Sequence, residues 1–221
     1  MNLPRRAGVL ALATLLAGCT TLSPARLSDA WAATLRDQPV AVVIQEPSTL
    51  VVMRERDVGL GPAGILLMTA QGEHLRRSAH IDDPADTIAT TLGELLATQH
   101  GAVLLPARAA SAQEEPAAIV ALAAPGARYV LTVATVSWGL ARFPVRDATY
   151  SVTYIARARL IDVKTKAVVA EAGCMQGPEG TEFESRNYGD FTADGAARIK
   201  SELAKRAARC THFIQRDMLG L

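Results

Sequence analysis

The 221-residue sequence predicts an α+β fold: one domain in which an antiparallel or mixed sheet of about five strands carries two main helices packed on one face. Three patterns predict it. Tyr150, Val152, Tyr154, Ala156, Ala158 and Leu160 alternate with Thr149, Ser151, Thr153, Ile155, Arg157 and Arg159, the period of a strand with one apolar and one largely polar face. Ala196, Ile199, Leu203, Ala207, Cys210 and Ile214 recur at helical spacing and form the continuous buried stripe of a long C-terminal helix. Ile88, Leu92, Leu95 and Leu96 form a shorter stripe of the same kind.

The elements follow in order. Leu27, Trp31 and Leu35 share one side of a short helix that Pro39 ends, with Trp31 placed to pack on the domain or to touch a lipid interface. Val40 to Ile44 and Thr49 to Met53 are apolar and β-branched, and read as two strands around Glu46-Pro47-Ser48, or as one broken strand. Gly59, Gly61, Pro62 and Gly64 mark a loop, and the apolar run Ile65 to Met68 has no assigned structure. Asp83 is placed to cap a helix that has Pro84 at its first position, Asp86 in its first turn and Gly101 at its end.

Val103 to Leu105 reads as a short strand. The Ala-rich stretch Ala107 to Ala127 reads as a connection in which Pro116 starts a short helix and Pro125-Gly126 closes it. Tyr129 to Trp138, the alternating strand and a returning strand bearing Val168, Ala170, Ala172 and Cys174 then make an antiparallel meander whose polar face is wet. The C-terminal helix starts near Thr192 or Asp194.

The N-terminus has the parts of an export signal. Arg5 and Arg6 precede the apolar run Ala7 to Ala17, which is too short to span a bilayer, since a spanning helix needs about 20 residues. The run closes in Leu16-Ala17-Gly18-Cys19. This stretch resembles the lipobox of bacterial lipoproteins. The resemblance implies cleavage after residue 18, acylation of Cys19 and anchoring by lipid, with no other cofactor. Thr20 in place of Asp after the cysteine implies the outer membrane, facing the periplasm. Residues 1–18 are then the signal, 19–26 a lipidated N-terminus with a short tether, and 27–221 a periplasmic domain.

Losing Arg5 and Arg6 with the leader turns 23 basic against 22 acidic residues into 21 against 22. That balance gives no basic excess to hold nucleic acid or anionic lipid heads. The remaining cysteines, Cys174 and Cys210, lie on facing core positions of a strand and a helix. In an oxidising compartment they predict a disulfide closing a loop of about 37 residues, worth roughly 4 kcal/mol.

No catalytic or metal-binding signature emerges. Gly59-Leu60-Gly61-Pro62-Ala63-Gly64 spells a dinucleotide fingerprint, but Pro62 removes a donor from the turn and no clear βαβ unit surrounds it. His74, His80, His100 and His212 include no pair at ligand spacing, and there is no G-x-S-x-G. Glu114-Glu115 and Asp82-Asp83 are adjacent and point apart, which suits solvation better than acid–base work.

Trp138, Arg142, Phe143, Arg146 and Tyr150 gather around a turn from Gly139 to Asp147, and aromatics with arginines are what binding hot spots favour. They are the candidate partner surface, with Arg157 and Arg159 next; the alternative is a long hairpin whose aromatics return to the core. The element order resembles the small envelope domains of the curli-secretion and TolB N-terminal types over roughly residues 40–215. The expectation is a non-enzymatic, lipid-anchored protein that binds a protein or cell-wall partner. A periplasmic hydrolase and a subunit of a secretion or assembly complex are the alternatives.

Overall fold

The computed structural model describes residues 24–105, 108–110, 113–143, 149–177 and 186–221. The signal, Cys19 and Arg146 lie outside the described residues, as does the side chain of Phe143. Ser28 Oγ accepts the Trp31 N–H at 3.3 Å and opens a short helix, α1 (Asp29–Ala33). Leu27 and Leu35 flank it in the core. Trp31 meets Tyr129 edge-on, with ring centroids 6.3 Å apart, so it packs on the domain. Strands β1 (Pro39–Gln45) and β2 (Val51–Val52) follow where β-branched residues concentrate.

The next stretch departs from expectation. A short helix, α2 (Glu55–Val58), leads into a long one, α3 (Pro62–Ser78), through the stretch read as a glycine loop and an unassigned run. Gly61 has φ 57° and Pro62 takes the first helical position. The inward stripe of α3 is Gly64, Met68, Gly72 and Leu75. A Cβ on Gly64 would lie 1.8 Å from the Asp57 carbonyl oxygen, and one on Gly72 would lie 1.8 Å from that of Leu50. These glycines are the packing face. Reading glycine as a breaker hid the helix, because its spacing is legible only when glycine counts as a buried residue.

Helix α4 (Ala85–His100) begins where Asp83 Oδ1 accepts the Ala85 N–H at 3.0 Å and ends at Gly101, φ 69°. Its face of Ile88, Leu92 and Leu96 is fully buried. Two short strands, β3 (Val103–Leu104) and β4 (Arg108–Ala110), pair parallel with β1, and a short helix, α5 (Pro116–Ala121), starts at Pro116. The meander consists of β5 (Tyr129–Phe143), β6 (Thr149–Asp162) and β7 (Val168–Gln176). Its register sets Val133 beside Ala158 and Ala158 beside Ala172, with an irregularity in β5 between Thr135 and Ser137.

The sheet order is β3-β1-β5-β6-β7. Both β1 and β2 run parallel to β5, so the sheet is mixed, as one of the two predicted forms. Asn187 Oδ1 accepts the Asp190 N–H and starts α6 (Tyr188–Ile214). This helix is broken at Ala193–Ala196, where Asp194, Gly195 and Ala196 have positive φ, and it ends in a π-helical turn, Gln215–Leu219. The predicted start near Thr192 or Asp194 falls on this break.

The main core lies between the sheet and α3, α4 and α6. Cys174 of β7 and Cys210 of α6 are joined by a disulfide with Cα atoms 5.2 Å apart, a normal separation. The other face is only partly wet, which corrects the expectation of a solvated polar face. Ile119 of α5 covers Val43, Val130 and Ile161. Thr132 and Arg159 are buried there, and Arg157 pairs with Glu114 at 3.1 Å and reaches Glu171 at 3.8 Å. Ion pairs and a short helix do what apolar alternation alone does not reveal. Among the described residues, no helix is long and apolar enough to cross a membrane.

Candidate functional site

Helices α4 and α6 border a groove of about 480 Å³. Its α6 wall is small because the residues beside the core stripe are Ala204 and Ala208, one turn apart and both exposed, next to buried Ala207. Thr87 and Thr91 line the α4 wall, Thr211 lies on the α6 side, and Lys200 is exposed at its edge. Asp82 and Asp83 line the end where α4 begins.

Asp83 is the chemically distinctive group. Its Oδ1 accepts the Ala85 N–H and the Thr135 hydroxyl, and Thr135 Oγ1 lies 3.1 Å from the Tyr154 hydroxyl. Its Oδ2 is buried without a hydrogen-bond partner. Burial pushes the Asp83 carboxyl above the ordinary range, against the lowering effect of the Thr135 and Ala85 hydrogen bonds. Burial also raises the Tyr154 phenol, which keeps it protonated. The site thus combines a small apolar α6 wall, threonine hydroxyls, a carboxyl of raised proton affinity and an exposed lysine. Such a surface can seat an extended segment, with apolar groups over the alanines and polar groups on the threonines, Asp82 and Lys200. Among the described residues, no three His, Cys, Asp or Glu side chains converge to hold a metal ion.

The structure separates the predicted partner cluster. Strand β5 continues through Phe143, in register with Thr149, so the stretch read as a turn from Gly139 is largely strand. Trp138 is 1% exposed and its indole N–H donates to the Ser48 carbonyl at 2.6 Å. Tyr150 is 9% exposed and packs on Tyr188, with ring centroids 5.5 Å apart. These two residues are core and do not form a surface, which is the correction. Alternation along β6 places Tyr150 there, and the irregularity between Thr135 and Ser137, which shifts the inward phase of β5 by one residue, places Trp138 there. Arg142 is half-buried beside Tyr150.

The sequence marks Asp83 as a cap and as half of a solvated carboxylate pair; the structure keeps the cap, corrects the solvation, since Oδ2 is buried, and adds the groove. The available signal was the Ala204–Ala208 pair beside the stripe. The glycine fingerprint is resolved as packing: Gly64 lies against the Asp57 backbone.

No protein-family model matches the chain, and no curated protein matches it. Among solved structures, it is similar to the PelC dodecamer from Paraburkholderia phytofirmans at 19% identity and a TM-score of 0.32, over 86% of this chain and 96% of that one. It is similar to a neuraminyllactose-binding hemagglutinin homologue from Helicobacter pylori at 11% identity and a TM-score of 0.38, over 80% and 88% of the two chains. A lipoprotein from Neisseria meningitidis is similar at 13% identity and a TM-score of 0.25, over 78% and 99%. At these identities and scores, function rests on the chain's own residues.

Proposed function

We propose that this chain is a non-enzymatic, lipid-anchored protein of the outer membrane, facing the periplasm, that holds a segment of a protein or cell-wall partner in the α4–α6 groove. The observation that carries the binding role is the groove itself: an alanine wall on α6 accompanied by hydroxyls, carboxylates and Lys200. Leu16-Ala17-Gly18-Cys19 supports the anchor, and the buried Cys174–Cys210 disulfide supports an oxidising compartment. The resemblance to curli-secretion and TolB N-terminal domains stays part of this proposal as a likeness of layout.

The test is photo-crosslinking from Ala208 in intact cells, followed by identification of the captured partner. Capture lost on Ala204→Trp, with unchanged melting, supports the reading. Equal capture by A204W sinks it. Mass spectrometry of the N-terminal peptide tests acylation separately.

A hydrolase is the second reading, favoured by one observation: Asp83 is a buried carboxyl of raised proton affinity that lines the groove. Turnover by the purified chain that is lost on Asp83→Asn would establish it. Native mass measurement of the acylated protein tests membership of a larger assembly.

A further inference from the structure

The α2–α3 corner exposes an unusual amount of aliphatic surface. Residues 58–70 carry no charged side chain. Val58 (58% exposed), Leu60 (51%), Ile65 (59%), Leu66 (71%) and Leu67 (44%) all face outward. The inward stripe of α3 spends two of its four positions on glycine, beside Met68 and Leu75, and Ile65, Leu66 and Leu67 are left outside it. Five exposed aliphatic side chains within ten residues exceed the scatter of single surface apolar residues, and such a concentration marks a contact surface.

The sheet shows which end of the molecule this corner occupies. β2 runs parallel to β5, so the chain leaves β2 toward the Phe143 end of β5. Helix α3 then returns antiparallel, since Gly64 lies against Asp57 and Gly72 against Leu50. Its exposed N-terminal turns therefore lie at the Phe143 end.

The N-terminal chain meets the domain with the same polarity. Ala25 forms an antiparallel bridge to Glu171 of β7, with two hydrogen bonds of 2.8 Å. β7 runs toward the Phe143 end, because Gln176 lies beside Tyr154 and Tyr154 beside Trp138. An antiparallel partner of β7 comes from that end. Cys19 is about six residues before Ala25, a reach of at most ~20 Å counted from the level of Glu171, Arg159 and Thr132.

We propose that the α2–α3 corner is a second membrane contact, in which Val58, Leu60, Ile65, Leu66 and Leu67 enter the same lipid monolayer that anchors Cys19. This rests on the lipid-anchored reading. The occupant is a lipid surface because the five aliphatic side chains lie in a stretch, 58–70, without a charge, with Arg56 exposed at its margin, and because the corner sits at the end from which the anchored chain arrives. Contact through such a patch is driven by apolar burial, and it is insensitive to salt and to lipid charge. With Cys19 acylated, it would fix the domain's tilt, so the α4–α6 groove would face a set direction.

The test uses the acylated full chain in phosphatidylcholine vesicles, with and without brominated acyl chains. Leu66→Trp places a reporter at the most exposed position, and the parent protein supplies the background of Trp31 and Trp138. The expected result is blue-shifted L66W emission that brominated lipid quenches about twofold or more, unchanged at high salt. Leu66→Asp keeps the parent's melting temperature and increases hydrogen exchange of the 58–70 segment on vesicles. L66W emission left unquenched on vesicles that carry the acylated protein overturns the proposal while leaving the anchor intact. Concentration-dependent burial of L66W without lipid also overturns it and identifies a second copy as the occupant. If Cys19 carries no acyl chain, the anchor reading fails. The same quenching with excess vesicles then decides the corner alone: quenching retains it as a lipid contact and its absence overturns it.

Discussion

Replacing glycine by alanine at Gly72 and at Gly93 is one chemical change with two expected signs. Both residues are buried inside helices, α3 and α4 respectively. Helix propensity alone favours alanine by about 1 kcal/mol at each. At Gly93 the added Cβ meets Leu104 Cδ1 and Val42 Cγ2 at 3.5 Å, ordinary contact distances. The propensity gain therefore survives, and a domain of this size should melt about 2–4 °C higher. At Gly72 the Cβ falls 1.8 Å from the Leu50 carbonyl oxygen and 2.5 Å from its carbon. Those atoms are backbone and no rotamer relieves them, so α3 must lift from the strand by roughly 1.5 Å. Overpacking of this kind costs about 3 kcal/mol, the upper end of its usual range. The net is a loss of about 2 kcal/mol, or roughly 4–8 °C. Calorimetric melting of the oxidised proteins checks both. A G72A protein as stable as G93A would refute the claim that glycine sets the α3–β2 approach.

Removing the disulfide by Cys174→Ala with Cys210→Ala should cost roughly 4 kcal/mol, read from urea unfolding; identical midpoints with and without reductant would show that the bridge does not form in solution. Burial alone would raise the Asp162 carboxyl, but the Thr165 N–H and the Arg128 guanidinium outweigh it and hold it below the ordinary range. Its contribution is therefore present above about pH 4, the unfolded value, and is lost as the pH falls through the lowered folded value; Asp162→Asn should abolish that acid-side loss. Asp83 has the opposite sign. Burial raises it, so its contribution appears as the pH falls through the raised folded value and is complete below about pH 4. Asp83→Asn should flatten stability between neutrality and pH 4, and an unchanged slope in urea midpoints across that range would contradict the assignment. Trp138→Phe orphans the Ser48 carbonyl and should lose about 1–2 kcal/mol in the same assay, whereas no loss would return Trp138 to the surface.

The sheet, α4, α6 and the disulfide were legible because their signals are local and redundant. Strand alternation, the Asp83 and Gly101 termini and a stripe that includes Cys210 each name a face as well as an element. Helix α3 was not legible because its inward face is built partly from glycine, so the hydrophobic pattern points the wrong way out. The partner cluster failed for a related reason. Trp138 and Tyr150 lie near a Gly and a Pro, which suggested a turn; parity along β6 assigns Tyr150 to the core, whereas Trp138 faces inward only because the irregularity between Thr135 and Ser137 shifts β5 by one residue from the phase of Leu131 and Val133. Gly139 illustrates the ambiguity: it sits within β5, where a Cβ would lie 1.9 Å from the Val51 carbonyl oxygen. It is there to admit β2, and the chain does not turn at it.

The groove was hidden because it is made from separation. Asp83 was recognisable as a residue that satisfies a helix N-terminus, and it does bond the Ala85 N–H. Its second role depends on Thr135, which is 52 positions away and reaches Asp83 only when α4 packs on β5. That packing buries the carboxyl and raises its proton affinity, while Ala204 and Ala208 leave the space beside it open. One inward and one outward set of small residues thus shape the exposed aliphatic corner and the groove. The glycines of α3 draw the helix onto β2 and leave Ile65, Leu66 and Leu67 on its outer side. The alanines of α6 stand off from α4 and open a groove. In both places the informative residues are the smallest ones, which contribute least to hydropathy and most to how closely backbones approach.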